Sequence, residues 1–302
     1  MISQIDGLHH VTLLASGAKA NNAYFTRDLG LRRVKKTVNF DAPDVYHLYY
    51  GDAAGTPGTV MTYFPFPRAA RGRPGTGEAS ETAFAVPDGA LPFWQDRLGG
   101  ETGTRFGERR LTVAGPDGET LVLVETGDDP RTPWTDGGVG TDHAIRGFHS
   151  VTLRLADAGG TEEVLRFMGY ARAGTEGDTT RWTVGDGPAN AVDVTVAPDL
   201  PPAAQGAGST HHVAFRVADR ARQAEVRQAL ADAGLGVTPP IDRDYFWAIY
   251  FRTPGGVLFE VATDEPGFDR DEDPAHLGEA LKLPSQHARL RDKLEAYLEP
   301  LE

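Results

Sequence analysis

Short runs of alternating hydrophobic and polar residues recur along the chain, and each leads into a stretch with helical spacing. Leu8–Leu14 (LHHVTLL), Ser80–Val86 (SETAFAV), Gly147–Leu155 (GFHSVTLRL) and Ser209–Val217 (STHHVAFRV) have the period of a strand. Ala18–Leu29 and Ala221–Ala233 read as helices closed by Gly30 and Gly234, because glycine directly after a helical run is a common stop. LPFWQDRLGG and TEEVLRFMGY are shorter versions in the two middle copies. After each helix come about three strand-like segments, so an α+β fold of four βαβββ modules is the simplest account. These segments end at PDGETLVLVET in the second copy and at PGGVLFEVAT in the last. Beyond them, Asp264–Asp273 is acidic, and Pro274–Glu302 reads as one or two surface helices.

Composition narrows the function classes. The chain has 302 residues, 40% of them hydrophobic, enough for two domains with substantial cores. Its formal charge of −13 argues against nucleic-acid binding, which needs clustered cations. The basic group Arg32, Arg33, Lys35 and Lys36 reads as a solvated strand edge. No apolar run is long enough for a membrane span, and MISQIDGLHHVTLL lacks the basic and apolar regions of a secretory signal. A cytoplasmic location is therefore expected. With no cysteine, a metal site must use histidine, carboxylate or backbone oxygen.

Four of the nine histidines form two adjacent pairs, His9–His10 and His211–His212, at the same position of the first and last repeats. Buried histidines satisfied by hydrogen bonds would give the same pattern as metal ligands. Strand alternation puts His9 with Val11 and Leu13, and His211 with Val213, Phe215 and Val217, on faces that pack against helices. His10 and Thr12 then share the opposite, mixed face, as does His212 with Ala214 and Arg216. By the same test Glu260 points away from the apolar set Val257, Phe259 and Val261. Such a carboxylate either faces water on an edge strand or must be paired or metal-bound. Taken together, His10, His212 and Glu260 form the two-histidine, one-carboxylate set of non-haem Fe(II) oxygenases, which leaves coordination positions open for catalysis. His47, His276 and His287 lie outside these runs, and changing them is expected to leave metal retention and turnover intact; His276 and His287 should be exposed.

At this point the sequence resembles vicinal oxygen chelate proteins, specifically ring-cleaving dioxygenases that act on hydroquinones. The resemblance runs through GLHHVTLL, GLRRVKKTVNFDAPDVYHLYYGDAAGTPGTVMTYFPF, THHVAFRV, RDYFWAIYFRTPGGVLFEVATDEPGF and LGEALKLP, nearly the full length. It implies two vicinal-oxygen-chelate domains with curved mixed sheets: residues 1–140 for modules one and two, 141–270 for three and four, and a helical tail at 271–302. It implies metal ligation by His10, His212 and Glu260, and supporting catalytic roles for His9, Thr12, His211, Arg243 and Tyr250. The third module has Ser150 where catechol-type enzymes place a ligand histidine. The second offers Ala83 or its neighbours, and Val122 opposite Glu260, so neither middle module can supply an equivalent site. The metal should lie in a cup built by modules one and four, with modules two and three pairing into a metal-free cup.

The implied reaction is cleavage of a substituted hydroquinone by O2 at Fe(II), with Mn(II) or another divalent metal as alternatives. Phe246, Trp247 and Tyr250 are candidates for an apolar pocket that takes a flat ring, or for ordinary core. The partners are then a small aromatic substrate and O2, with no nucleic acid and no membrane; a homo-oligomer stays open. Rival readings are catechol-type extradiol cleavage, a glyoxalase-like metal-dependent lyase or isomerase, and a non-enzymatic binding or resistance protein. Glyoxalase-like sites usually recruit a fourth protein ligand, and the end of the first module offers Thr62 or Tyr63 in place of a carboxylate.

Overall fold

The computed structural model describes residues 2–302. Each expected module is present. The first contains β1 (Leu8–Ala15), α1 (Ala18–Ala23, continued by a π-helical turn over Tyr24–Asp28), β2 (Arg32–Val38), β3 (Tyr46–Gly51) and β4 (Val60–Pro65). The second contains β5 (Glu78–Pro87), α2 (Leu91–Leu98), β6 (Glu101–Arg105), β7 (Glu108–Ala114) and β8 (Thr120–Thr126). The third contains β9 (Gly147–Leu155), α3 (Gly159–Phe167), β10 (Ala171–Glu176), β11 (Thr179–Thr183) and β12 (Ala191–Val196). The fourth contains β13 (Thr210–Val217), α4 (Arg220–Asp232), β14 (Ile241–Asp242), β15 (Phe246–Arg252) and β16 (Leu258–Pro266). Gly30 and Gly234 follow the first and last helices with φ of +70° and +84°, a left-handed stop that side chains with a Cβ resist.

Two curled eight-stranded mixed sheets result, ordered β14-β15-β16-β13-β1-β4-β3-β2 and β10-β11-β12-β9-β5-β8-β7-β6. Module one thus pairs with module four, and two with three. In the first sheet the seam is β1 against β13, antiparallel, with β4 and β16 flanking it in parallel. Val11, Val213, Phe215, Val217, Phe259 and Val261 face the helices and join the main core with Val226 and Leu230 of α4. Ala214, Ala248 and Ala262 look into the concave side instead. Each large apolar side chain fully buried in this way contributes about 1.5–3 kcal/mol.

Both seams carry β-bulges, where two residues on one strand oppose a single residue on the other. Leu8 and His10 pair with the consecutive residues Phe215 and Ala214, which leaves His9 inserted; Thr12 and Leu13 pair with His212 and Thr210, which leaves His211 inserted. The second sheet repeats the device, with Ser80 and His149 as the inserted residues. This register aligns Ser150 with His10 and Glu81 with His212. Val122 pairs with Ala83 as Glu260 pairs with Ala214.

The tail contains 3-10 turns and α5 (Arg291–Tyr297). The basic group on β2 is not the solvated edge expected from its composition. Lys35 is completely buried, with its ammonium 2.7 Å from Asp271 and also paired with Glu272. Arg33 bonds Glu302 and the carbonyl of Gly278. Tail carboxylates thus neutralise cations that the sheet buries. Lys35→Ala should cost about 3 kcal/mol in denaturant unfolding, because it strands the buried Glu272 carboxylate without a counter-charge. A loss below 1 kcal/mol would mean the tail is not held this way. Among the described residues no helix is long and apolar enough to cross a membrane.

Candidate metal centre

His10 on β1, His212 on β13 and Glu260 on β16 meet at the floor of the first cup, although they lie far apart in the chain. His10 Nε2 is 3.2 Å from His212 Nε2, and the Glu260 carboxylate lies 2.9 Å from His212 Nε2 and 3.4 Å from His10 Nε2. One ligand atom from each fits within a 4.8 Å span, and all three residues are buried.

The bulges explain how neighbouring histidines cooperate. Strict alternation would send His9 and His10 to opposite faces. Instead, the rings touch, with Nδ1 to Nδ1 at 2.9 Å, and the His211–His212 pair repeats this at 2.7 Å. His9 Nε2 lies 3.1 Å from the Thr263 carbonyl, which can only accept, so that nitrogen carries the hydrogen. Burial, then His10, pushes the His9 pKa down to about 3, so the ring is neutral and its Nδ1 must accept. His10 therefore donates from Nδ1, which leaves Nε2 as the nitrogen that faces the cluster and would take a metal. His211 is likewise held neutral, near 4, by burial and by His212.

This geometry tests whether the site fits a metal. His10 Nε2, His212 Nε2 and the Glu260 carboxylate converge on one point, close enough for a single ion to bridge all three. Both Glu260 oxygens are buried and receive no well-formed hydrogen bond. Burial alone would raise the Glu260 pKa, yet His10 and His212 hold it well below the usual carboxylate range. An anion left unpaired in the interior costs several kcal/mol, whereas a divalent cation satisfies all three groups at once. The residues fit such an ion.

The site opens into a cavity of about 380 Å³ lined by all three residues. Leu14, Phe64, Phe66 and Phe246 make much of its wall, with Phe246 packed 4.9 Å from the His10 ring. Of the expected supporting residues, His211, Arg243 and Tyr250 line the cavity. Tyr250 stands directly opposite Glu260 across the β15–β16 ladder. Its pKa is pushed well above the ordinary value by burial, then by the Glu260 charge, while Arg243 Nε donates to its oxygen at 3.3 Å. His9 lies behind the floor beside a second cavity, and Thr12 is fully buried with its hydroxyl 2.8 Å from Thr62. Trp247 lies outside the cavity, under Arg220, with the guanidinium 3.8 Å from its ring centroid.

Two histidines outside the ligand set lie at or beside the cavity, and one of them, His287, is not exposed as expected. His47 lines the cavity, bonded to Tyr49 and Thr62. His287 is half-buried and bonds the carbonyl of Phe40, on the loop that forms the cavity mouth. The second cup holds no such ligand set among the described residues. Glu81 there is bound by Arg105, Arg110 and Thr152, so guanidinium groups supply the positive charge.

The buried imidazoles set a pH dependence. Unfolded histidine titrates near 6.5, whereas His9 and His211 stay neutral to about 3 and 4, so below 6.5 the unfolded chain binds more protons. The metal-free protein should lose stability as the pH falls from 6.5, before carboxylates begin to titrate. A melting temperature that is flat between pH 7 and 5 would contradict this.

The family model for the Glyoxalase/Bleomycin resistance protein/Dioxygenase superfamily matches residues 7–261. A Bacillus subtilis (strain 168) protein, MhqO, provisionally named a ring-cleaving dioxygenase, is 40% identical across 100% of this chain and 98% of its own. The chlorohydroquinone/hydroquinone 1,2-dioxygenase of Sphingobium indicum is 38% identical across 96% of this chain and 95% of its own. A crystal structure of a provisionally named dioxygenase from Bacillus subtilis superposes with a TM-score of 0.96 at 40% identity, covering 99% of this chain and 98% of that one. Glyoxalase I from Zea mays shares the fold alone, with a TM-score of 0.62 at 15% identity over 85% of this chain and 92% of that one. The chain belongs to the Glyoxalase/Bleomycin resistance protein/Dioxygenase superfamily.

Proposed function

We propose that the protein is a ring-cleaving dioxygenase that opens a substituted hydroquinone with O2, using Fe(II) held by His10, His212 and Glu260. The observation that carries this reading is the convergence of the buried Glu260 carboxylate with His10 Nε2 and His212 Nε2 at the floor of an aromatic-walled cavity. When bound, a redox-active divalent ion supplies electron transfer between ring and O2 and lowers the pKa of a coordinated hydroxyl.

The chain's own groups do the rest. Phe64, Phe66 and Phe246 exclude water and sandwich a flat ring. With a metal on His212 Nε2, His212 would carry its hydrogen on Nδ1 and donate it to His211 Nδ1, which leaves an Nε2–H on His211, a residue that lines the cavity. The corresponding hydrogen of His9 is held by Thr263. His211 is therefore the better placed of the two to exchange a proton with substrate. Tyr250 keeps its proton, and the hydrogen bond from Arg243 makes that hydroxyl a stronger donor. A glyoxalase-like reaction is disfavoured by the end of β4, where Thr62 bonds Thr12 and His47 while Tyr63 bonds Glu119.

Metal analysis of anaerobically purified protein, with O2 uptake on methylhydroquinone and on catechol, tests the reading. Stoichiometric iron and faster uptake with the hydroquinone are expected. Uptake with catechol alone, or full activity with zinc, would overturn it.

A further inference from the structure

Four side chains on neighbouring strands form a hydrogen-bonded line across the cup wall. Thr12 Oγ1 lies 2.8 Å from Thr62 Oγ1, Thr62 Oγ1 lies 3.0 Å from His47 Nε2, and His47 Nδ1 lies 2.8 Å from the Tyr49 hydroxyl. The His47 ring is buried, and it packs 4.0 Å from the Tyr49 ring and 4.3 Å from Phe64, so it has little freedom to turn. Burial keeps its imidazole neutral, with one ring hydrogen only.

The line can run in two directions, and they are not equivalent. If His47 carries its hydrogen on Nε2, that hydrogen goes to Thr62, and Tyr49 donates to Nδ1. The two threonine hydroxyls then share a single remaining acceptor contact, so one of their hydrogens has no partner. Both threonines are fully buried, and a buried donor without a partner is costly. If His47 carries its hydrogen on Nδ1, Thr12 donates to Thr62, Thr62 donates to Nε2, and His47 donates to the Tyr49 oxygen. Every hydrogen within the wall is then used. The one left over belongs to the Tyr49 hydroxyl; Tyr49 is as fully buried as the threonines, but unlike them it lines the cavity, where a ligand oxygen can take that hydrogen.

We propose that Tyr49 is a second hydrogen-bond donor of the cavity, held in that role by His47, and that it engages the substrate oxygen lying across the ring from the metal. The placement of the strands supports this. The three proposed ligands sit on β1, β13 and β16, whereas Tyr49 is on β3, separated from β1 by β4 in the sheet order. A para-diol with one oxygen at the metal presents its other oxygen on the far side of its ring. An ortho-diol has no oxygen there. His47, with both ring nitrogens engaged inside the wall, is a positioning residue; Tyr49 is the group that touches the ligand. The inference rests on the hydroquinone reading above and deepens it.

The first test needs neither metal nor turnover. In metal-free protein labelled with ¹⁵N at histidine, with the His47 signals assigned through His47→Gln, the ring should be the Nδ1–H form. An Nε2–H form overturns the proposal. The second test measures binding of hydroquinone and of phenol to the anaerobic Fe(II) protein. Tyr49→Phe should weaken hydroquinone about tenfold, the loss of one good hydrogen bond, and leave phenol unchanged. Thr62→Val, which removes the donor to Nε2 without touching either ring, should shift the same selectivity in the same direction, and it serves if Tyr49→Phe does not fold. Equal weakening of both ligands, or of neither, means that Tyr49 only shapes the wall. Wild-type protein that binds iron but does not prefer hydroquinone to phenol would count against the hydroquinone reading itself, while the ¹⁵N result still judges the direction of the line.

Discussion

Glu260→Ala is expected to leave a folded protein that retains no metal and turns over no substrate. Glu260 is the single anionic member of the cluster, and without it two neutral imidazoles face a cation alone. Altering groups that merely support metal ligands costs about 10–100-fold in affinity, so loss of the charged ligand should exceed that. His10→Ala and His212→Ala should behave alike. Stability separates this from simple misfolding. In the absence of metal the Glu260 anion is held only by His10 and His212, so metal-free Glu260→Gln, which keeps the shape of the side chain, should still unfold in one cooperative transition, at or somewhat below the temperature of metal-free wild type. Wild type alone should then gain in melting temperature when Fe(II) is added. Normal metal content and activity in Glu260→Ala would rule out the ligand set.

Tyr250→Phe should do the opposite, keeping the metal and losing the rate. The substitution preserves the ring and its edge-on packing against His212, 5.7 Å between centroids, so folding and metal content should hardly change. What disappears is a hydroxyl that burial and the Glu260 charge keep protonated, and whose oxygen accepts from Arg243. A contact that strengthens as charge develops on the substrate oxygen is worth about 10²-fold in turnover. Steady-state rates at saturating O2, expressed per bound metal on the same sample, give the answer. Unchanged turnover per metal would remove Tyr250 from the chemistry.

The modules and their helices were legible because they rest on periodicity; alternation gave the faces of His10, His212 and Glu260, and the family resemblance implied that the three meet. The apolar sets around Val213 and Phe259 left one face for each polar residue, and the structure has those faces. The bulges at His9 and His211 were not legible, since an inserted residue leaves no mark in an alternating pattern. They matter because they bring adjacent rings into contact, which alternation forbids. Lys35 misled for a related reason: its counter-charges come from Asp271 and Glu272, which no local pattern ties to β2. His47 belonged to no repeat, so only the curl of the sheet reveals that it reaches the cavity.

The pairing of the first module with the last has a consequence for how the chain is made. Modules two and three occupy one continuous stretch, β5 to β12, and can complete their sheet while synthesis is still under way. The first module cannot. Its β1 edge must wait for β13, 202 residues separating His10 from His212, with the unpaired strand exposed to other chains meanwhile. Glu260 emerges later still, so the three groups cannot be assembled until the fourth module is almost complete. A metal bound there would then clasp the two ends of the molecule, and metal scarcity would be felt first as an opening of the β1–β13 seam, with the middle half of the protein still folded.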